Sequence, residues 1–365
     1  MKVLFITQFS EKGGSSRIHI IQFFPFLEKE GVKFRHTHIY PDVCFDVQMG
    51  VRQTSPAGKI FNLLFFGIVG VFKKIFVSLT ASKFDAVVIQ KETFPKILFW
   101  LLHAVNPNII YEIDDAIFEI NPYHKGGAIK NALLRYQAFL CKNMLKKSAY
   151  VLAENQYLAR EARKYNEKVS VFTVSIDTDI FHPVGKKLYG SEVVIGWVGS
   201  PSTSHMLAGL LDAFTILKSK CSGWKLVSVG ASPDFDMPGI LLEKRQWTAE
   251  LSVKNLQSFD IGLMPLDDSP FTRGRLGGKM IQYMAVGIPT VAQNVGLNPT
   301  IVKDGQNGFL VSDKNDWAEK LALLVRNPEM RQVLGQKARE ICLKEFSISS
   351  RFEVLLRTLK RFSKK

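Results

Sequence analysis

The sequence predicts an α/β protein built from two doubly wound, Rossmann-like parallel sheets. Three observations predict it. Short apolar runs of strand length alternate with longer amphipathic stretches along almost the whole chain. The chain opens as strand, glycine pair and amphipathic helix, which is how a nucleotide-binding α/β unit begins. The 365 residues, 46% of them hydrophobic, suit two domains of ordinary size with full cores.

The elements follow in order. Lys2 and the run VLFITQF form a first strand, SEKGGSS a turn, and Arg17 to Lys29 a helix. VKFRHTHIY is a second strand, 59–80 a strongly apolar helix, and FDAVVIQ (84–90) a third strand. PKILFWLLHAV is a helix, and NIIYEI a fourth strand ending at Asp114 and Asp115. A long basic helix over 125–147 precedes the strand AYVLAEN, the helix YLAREARKYN and the run VSVFTV. A second domain starts near Glu192 with the strand EVVIGWVGS and the helix MLAGLLDAFTILKSK. WKLVSVG, the segment around RQW, FDIGLMPL, PTVAQ and NGFLV supply its further strands. Helices over 316–326 and 329–346 follow, and the tail SSRFEVLLRTLKRFSKK is helical. The expected domains are 1–182 and 183–346, with 347–365 a basic helix returning to the first.

One stretch organises the second half. Pro265 to Ala292 reads strand end, polar loop, glycine-rich turn, helix and strand. Gly287 stands where a C-cap glycine belongs, with Pro289 just beyond. Arg273, Arg275 and Lys279 sit among Gly274, Gly277 and Gly278 at the helix start. Glycines there let the backbone approach a ligand, free N–H groups point outward, and the positive helix end favours a diphosphate. An Arg fork grips phosphate bidentately and a Lys acts as a point charge. The competing use is a solvated basic loop.

Four stretches together resemble the GT-B glycosyltransferases of the family 4 type, the glycosyl transferases group 1. KMIQYMAVGIPTVA looks like that family's donor-site segment. FDIGLMPL resembles the strand leading into it, and GLNPTIVKDGQNGFLV the glycine turn and D-G-x-N-G ending beyond it. VSIDTDIFHP (174–183) resembles the interdomain stretch. The resemblance implies two Rossmann-like domains facing a cleft, and transfer of a sugar from a nucleotide-sugar donor with retention and without a metal. It also implies a donor site on the second domain, with Gly13 and Gly14 where donor phosphates and acceptor meet.

Two positions depart from the family pattern. The Glu that holds the nucleotide ribose falls on Gln282, which still hydrogen-bonds a hydroxyl in neutral form. The Glu eight residues earlier falls on Gly274, which cannot replace a carboxylate. The loop then serves the diphosphate more than the sugar ring.

Other candidates stand at strand ends. Asp114 and Asp115 close a strand at the carboxyl edge of the first sheet, where open α/β sheets bind ligands. The resemblance puts a His near Asp114. A carboxylate there suits a base for an acceptor hydroxyl or a partner for an oxocarbenium-like state. The plainer use is a helix N-cap. Glu92 is a second candidate. In the loop GSPSTSH, Ser200, Ser202 and Thr203 offer donors to phosphate, and His205 stands in for the cations the family carries there. An N-cap again competes.

The net charge of +15 asks for an anionic partner. No nucleic-acid motif is present, which leaves phosphorylated substrate or anionic membrane. Cys44, Cys141, Cys221 and Cys342 lie far apart without CxxC, which reads as free thiols in a reducing cytosol. No signal peptide or full membrane span is read, since Lys73 and Lys74 interrupt the longest apolar stretch. The tail sets Phe352, Leu355, Leu356, Leu359 and Phe362 on one helical face and Arg357, Lys360, Arg361 and Lys364 on another. Region 125–168 carries ten basic residues against three acidic. Basic amphipathic surfaces suit anionic headgroups, whereas a tail packed on its own domain is the plainer reading. Helix 59–80 reads as core.

The expectation is a cytoplasmic glycosyltransferase with peripheral contact on the inner face of an anionic membrane. Its acceptor would be a lipid-linked or cell-surface glycan precursor, including lipopolysaccharide. The rivals are a nucleotide-sugar epimerase of the same fold and a non-catalytic glycan- or membrane-binding relative.

Overall fold

The structure is a computed structural model. It describes residues 1–48, 55–119, 127–185, 192–248, 250–269, 272, 274 and 277–363, with positions 48, 56, 57, 59–61, 63, 64, 129 and 130 described in backbone alone. The chain divides into two compact units. Unit 1 is Met1–Ser175, Ser269–Arg275 and Arg351–Lys365; unit 2 is Ile176–Asp268 and Leu276–Ser350.

Unit 1 holds the strands β1 (Lys2–Thr7), β2 (Lys33–His38), β3 (Ala86–Gln90), β4 (Ile109–Ile113), β5 (Tyr150–Ala153) and β6 (Val169–Val171). They form one sheet of order β2-β1-β3-β4-β5-β6, parallel throughout. The central strands are buried on both faces, and this is why they read as unbroken apolar runs. The first helical stretch is split into α1 (Gly14–His19), a 3-10 turn and α2 (Phe24–Lys29). Pro25 explains the break, because it has no N–H for an upstream carbonyl and suits a helix start.

After α3 (Asp42–Gln48), three helices lie along one face of this sheet: α4 (Pro56–Thr80), α5 (Lys96–Val105) and α6 (Ala128–Lys147). Val77, Phe99, Leu102, Cys141 and Met144 pack from them into the core with Val87, Ile89 and Tyr111. α7 (Gln156–Arg163) is capped by Asn155, whose side chain accepts from the Leu158 N–H.

Unit 2 holds β7 (Val193–Val198), β8 (Trp224–Val229), β9 (Leu242–Arg245), β10 (Ile261–Met264), β11 (Thr290–Gln293) and β12 (Gly308–Val311). The order is β12-β11-β10-β7-β8-β9, again all parallel. Its helices are α8 (Ser204–Ala208), α9 (Leu211–Lys220), α10 (Ser252–Gln257), α11 (Gly278–Ala285), α12 (Asn298–Ile301), α13 (Lys314–Arg326) and α14 (Pro328–Glu345). Gly287 follows α11 at φ +72°, the left-handed conformation a helix stop requires, and its N–H closes on Met284 O at 3.0 Å.

The last helix, α15 (Ile348–Lys360), buries Leu355 and Leu359. Its Phe352 ring lies 5.6 Å from that of Phe26 and 6.4 Å from that of Phe23. Lys360 pairs with Glu30 at 3.7 Å. The apolar face of the tail is thus covered by unit 1.

Candidate functional site

Each sheet has one point at which the chain order reverses. In unit 1 it lies between β1 and β3, and in unit 2 between β7 and β10. At such points the loops leave in opposite directions and open a crevice at the carboxyl ends of the strands, where doubly wound proteins bind ligands. Several of the described candidate residues stand at or beside these two places.

In unit 1 the loop after β1 runs into α1. Gly13 is required there, since a Cβ on it would stand 2.9 Å from Phe9 Cβ. At Gly14 a Cβ would meet open space. Ser15, one residue on, bridges the reversal point: Gln90 Nε2, at the end of β3, donates to Ser15 Oγ at 2.8 Å. Ser15 in turn donates to Asp114 Oδ2.

Asp114 is buried and Asp115 is partly exposed. Lys91 Nζ holds the two together, lying 3.2 Å from Asp114 Oδ1 and pairing with Asp115. Lys91 has φ 60°, a left-handed conformation that costs a non-glycine residue of order 1 kcal/mol. Its N–H donates to Glu112 O at 2.9 Å. The strained turn aims the ammonium back over the end of β4.

Beneath lies a group that sequence reasoning missed. His19, on the last turn of α1, is ringed by three carboxylates. Its Nδ1 is 3.0 Å from Glu112, and its Nε2 is 3.5 Å from Glu154 and 3.9 Å from Asp114. Burial by itself pushes the imidazole pKa down, but Glu112 first, then Asp114 and Glu154, raise it to about 10. His19 is therefore an imidazolium at neutral pH. Burial raises the pKa of Glu112 and, more strongly, that of Glu154. The signal was present: Glu112 stands inside the run IIYEI, where a charge in a strand covered on both faces needs a partner. Glu92 is taken up elsewhere, in a buried pair with Lys74 at 2.7 Å.

In unit 2 the loop after β7 carries Ser200, Ser202 and Thr203. Thr203 Oγ1 accepts from the Ser200 N–H at 3.0 Å and donates to Ser200 O at 3.0 Å, which is local capping. Ser200 Oγ and Ser202 Oγ are 3.0 Å apart, with Ser202 exposed. The loop itself is tightly held. A Cβ on Gly199 would stand 1.8 Å from the Trp197 ring, and one on Gly230 would stand 2.5 Å from Gly199 O.

α11 starts beside that loop, beyond the neighbouring strand. Tyr283, buried on α11, anchors it by accepting from the Val198 N–H at 3.0 Å. Lys279, on its first turn, lies with Nζ 5.1 Å from the centre of the Trp197 ring. Gln282 is half-buried one turn on. Lys279 and the 199–203 loop thus share one end of the sheet. Gly274 falls in unit 1, where its carbonyl accepts from Asn155 Nδ2 at 2.8 Å. Arg273 and Arg275 lie outside the described residues.

Two reversed-order parallel sheets of this kind define the GT-B fold, and this chain has it. Residues 192–327 match the family model described as glycosyl transferases group 1. The structure of Anabaena HepE, solved in complex with UDP and glucose, superposes with TM-score 0.69 over 99% of this chain and 100% of that one, at 15% identity. A trehalose synthase of Pyrococcus horikoshii is 30% identical over 162 residues, 40% of this chain and 39% of that protein. The putative glycosyltransferase EpsD of Bacillus subtilis is 23% identical over 237 residues, 60% of this chain and 62% of that protein. The matches thus span from well under half to under two thirds of these two relatives.

Proposed function

We propose that the chain transfers a sugar from a nucleotide-sugar donor to a glycan acceptor, with retention of configuration. The observation that carries the proposal is the meeting of Lys279 and the 199–203 loop at the order reversal of the second sheet. Donor phosphates would take the Lys279 ammonium and the Ser200 and Ser202 hydroxyls. Gln282 would hydrogen-bond the ribose. The HepE complexes with UDP and with UDP-glucose make uridine diphosphate the first nucleotide to test.

On unit 1, Asp114 and Asp115 would serve the reacting sugar and the acceptor, with the Gly13–Gly14 turn beside them. Asp114 Oδ2 already accepts from Ser15 and, at 3.3 Å, from Lys91 Nζ, which also lies 3.2 Å from Oδ1. A carboxylate engaged in this way is held in a fixed position. It suits stabilisation of an oxocarbenium-like state better than removal of a proton. His19 positions it from below. No step in this reading calls on a metal. The acceptor would be a lipid-linked or cell-surface glycan precursor, as the cationic character of the chain favours a phosphorylated, membrane-borne substrate.

A thermal-shift screen against nucleoside diphosphates and their sugars tests the donor reading. A specific ligand raises the melting temperature by mass action, and the pattern names the base. No shift with any of them would overturn it.

A further inference from the structure

Helix α4 reads as core in the sequence, yet the structure turns half of it outward. Phe66 and Val77 are buried, while Phe65, Ile68, Phe72, Phe76 and Leu79 are exposed. Those exposed positions recur every three or four residues, so they form one stripe along the helix. Phe72 is 67% exposed. The stripe does not stand alone. α4 packs against α5 and α5 against α6. On α5, Ile97 is 78% exposed and Trp100 69%. On α6, Leu133, Tyr136 and Phe139 are exposed, and the rings of Tyr136 and Phe139 stack with centres 6.5 Å apart. Three adjacent helices on one side of the sheet therefore present large apolar side chains outward. A soluble monomer rarely leaves such a surface uncovered.

Charge identifies what covers it. Not one Asp or Glu occurs in α4, α5 or α6. Their cations include Lys96, Arg135, Lys146 and Lys147, all exposed. Arg35 adds a guanidinium 5.6 Å from the centre of the Phe76 ring. A second copy of this chain would set these cations against their own kind. An anionic lipid surface satisfies both features, because its headgroups take the cations and its acyl boundary takes the rings.

By length and mean hydropathy, 1.5, Phe65–Lys83 could cross a bilayer. It is held to the unit instead. Lys74, midway along α4, is buried and paired at 2.7 Å with Glu92 and at 2.8 Å with Thr93 O. Removing α4 would leave Glu92 as an unpaired buried charge and open the sheet. The helix can only lie flat.

We propose that the outer face of α4, α5 and α6 is a monotopic docking surface for anionic membrane. The basic tail is not the anchor. Its apolar face is spent on unit 1, and Arg357 and Lys360 are paired with Glu353 and Glu30. The surface also lies next to the candidate site. Glu92 adjoins Lys91, and α5 begins at the carboxyl edge of the sheet a few residues after β3. A docked chain would hold that edge near headgroup level. The proposal deepens the reading of a membrane-borne acceptor but is measured apart from it.

The test is co-sedimentation of the full chain with vesicles of phosphatidylcholine alone or with a minority of phosphatidylglycerol, without donor or acceptor. Binding is expected to the anionic vesicles and to weaken as salt rises. Phe72→Ser and Trp100→Ser, both at exposed positions, should each lower the partition coefficient about tenfold with the melting temperature kept. Reversing Arg357, Lys360 and Arg361 to Glu should change it less than about threefold. Equal pelleting of the Phe72 and Trp100 variants with the wild type would overturn the proposal, as would binding lost only in the tail variant. So would wild-type dimers in sedimentation velocity that these substitutions dissolve while vesicles go unbound. Any of these results leaves the donor reading intact, and a failed nucleotide screen leaves this surface intact.

Discussion

His19 and Glu112 meet at 3.0 Å, imidazole Nδ1 to carboxylate Oε1, with both side chains almost sealed from water. The pair joins α1 to β4 across the first sheet, and Glu154 and Asp114 close around the same ring. A lone buried charge is costly, so these groups stand or fall together.

That cluster makes stability depend on pH. The folded imidazole holds its proton up to about pH 10, whereas the unfolded one releases it near 6.5. Its contribution is complete below about 6.5 and lost as pH rises toward about 10, at up to about 1.4 kcal/mol per pH unit. The raised carboxyls of Glu112 and Glu154 push in the same direction at lower pH. Melting curves of the wild type should therefore fall between neutral and alkaline pH, and those of His19→Gln should fall less. Parallel curves would remove His19 from the account.

Asp114→Asn keeps the shape of the side chain and removes its charge. Turnover is expected to drop about a hundredfold or more with nucleotide affinity nearly unchanged. The melting temperature should fall only in part, since Glu112 and Glu154 still pair His19 and Asp115 still pairs Lys91. Loss of stability in step with activity would make Asp114 a structural cap instead.

Lys279→Ala should weaken nucleoside-diphosphate binding by roughly 1–3 kcal/mol, the scale of charge-assisted hydrogen bonds. Isothermal titration reads it directly. Unaltered affinity would move the diphosphate away from α11.

Gly335 lets α14 lie against the loop that ends α11. A Cβ there would stand 2.2 Å from Gly287 O, a backbone atom with little room to yield. Gly335→Ala should cost about 1–3 kcal/mol or more, read as a lower urea midpoint. A midpoint equal to the wild type would mean that α14 shifts freely.

The sequence by itself determined the two parallel sheets, because strands buried on both faces must read as apolar runs and helices covering them must repeat near 3.6 residues. It also marked Gly287 as a helix stop and the two aspartates as a strand end, since both are local chemistry. It did not determine which residues gather around Asp114. His19, Lys91 and Glu154 come from separate elements, and only the order of strands β1, β3, β4 and β5 brings them to one edge. It left open, too, which way the apolar residues of α4 face. An apolar helix has the same periodicity whether its second face is covered or bare, and only the packing of α4, α5 and α6 as a single outer layer decided that it is bare.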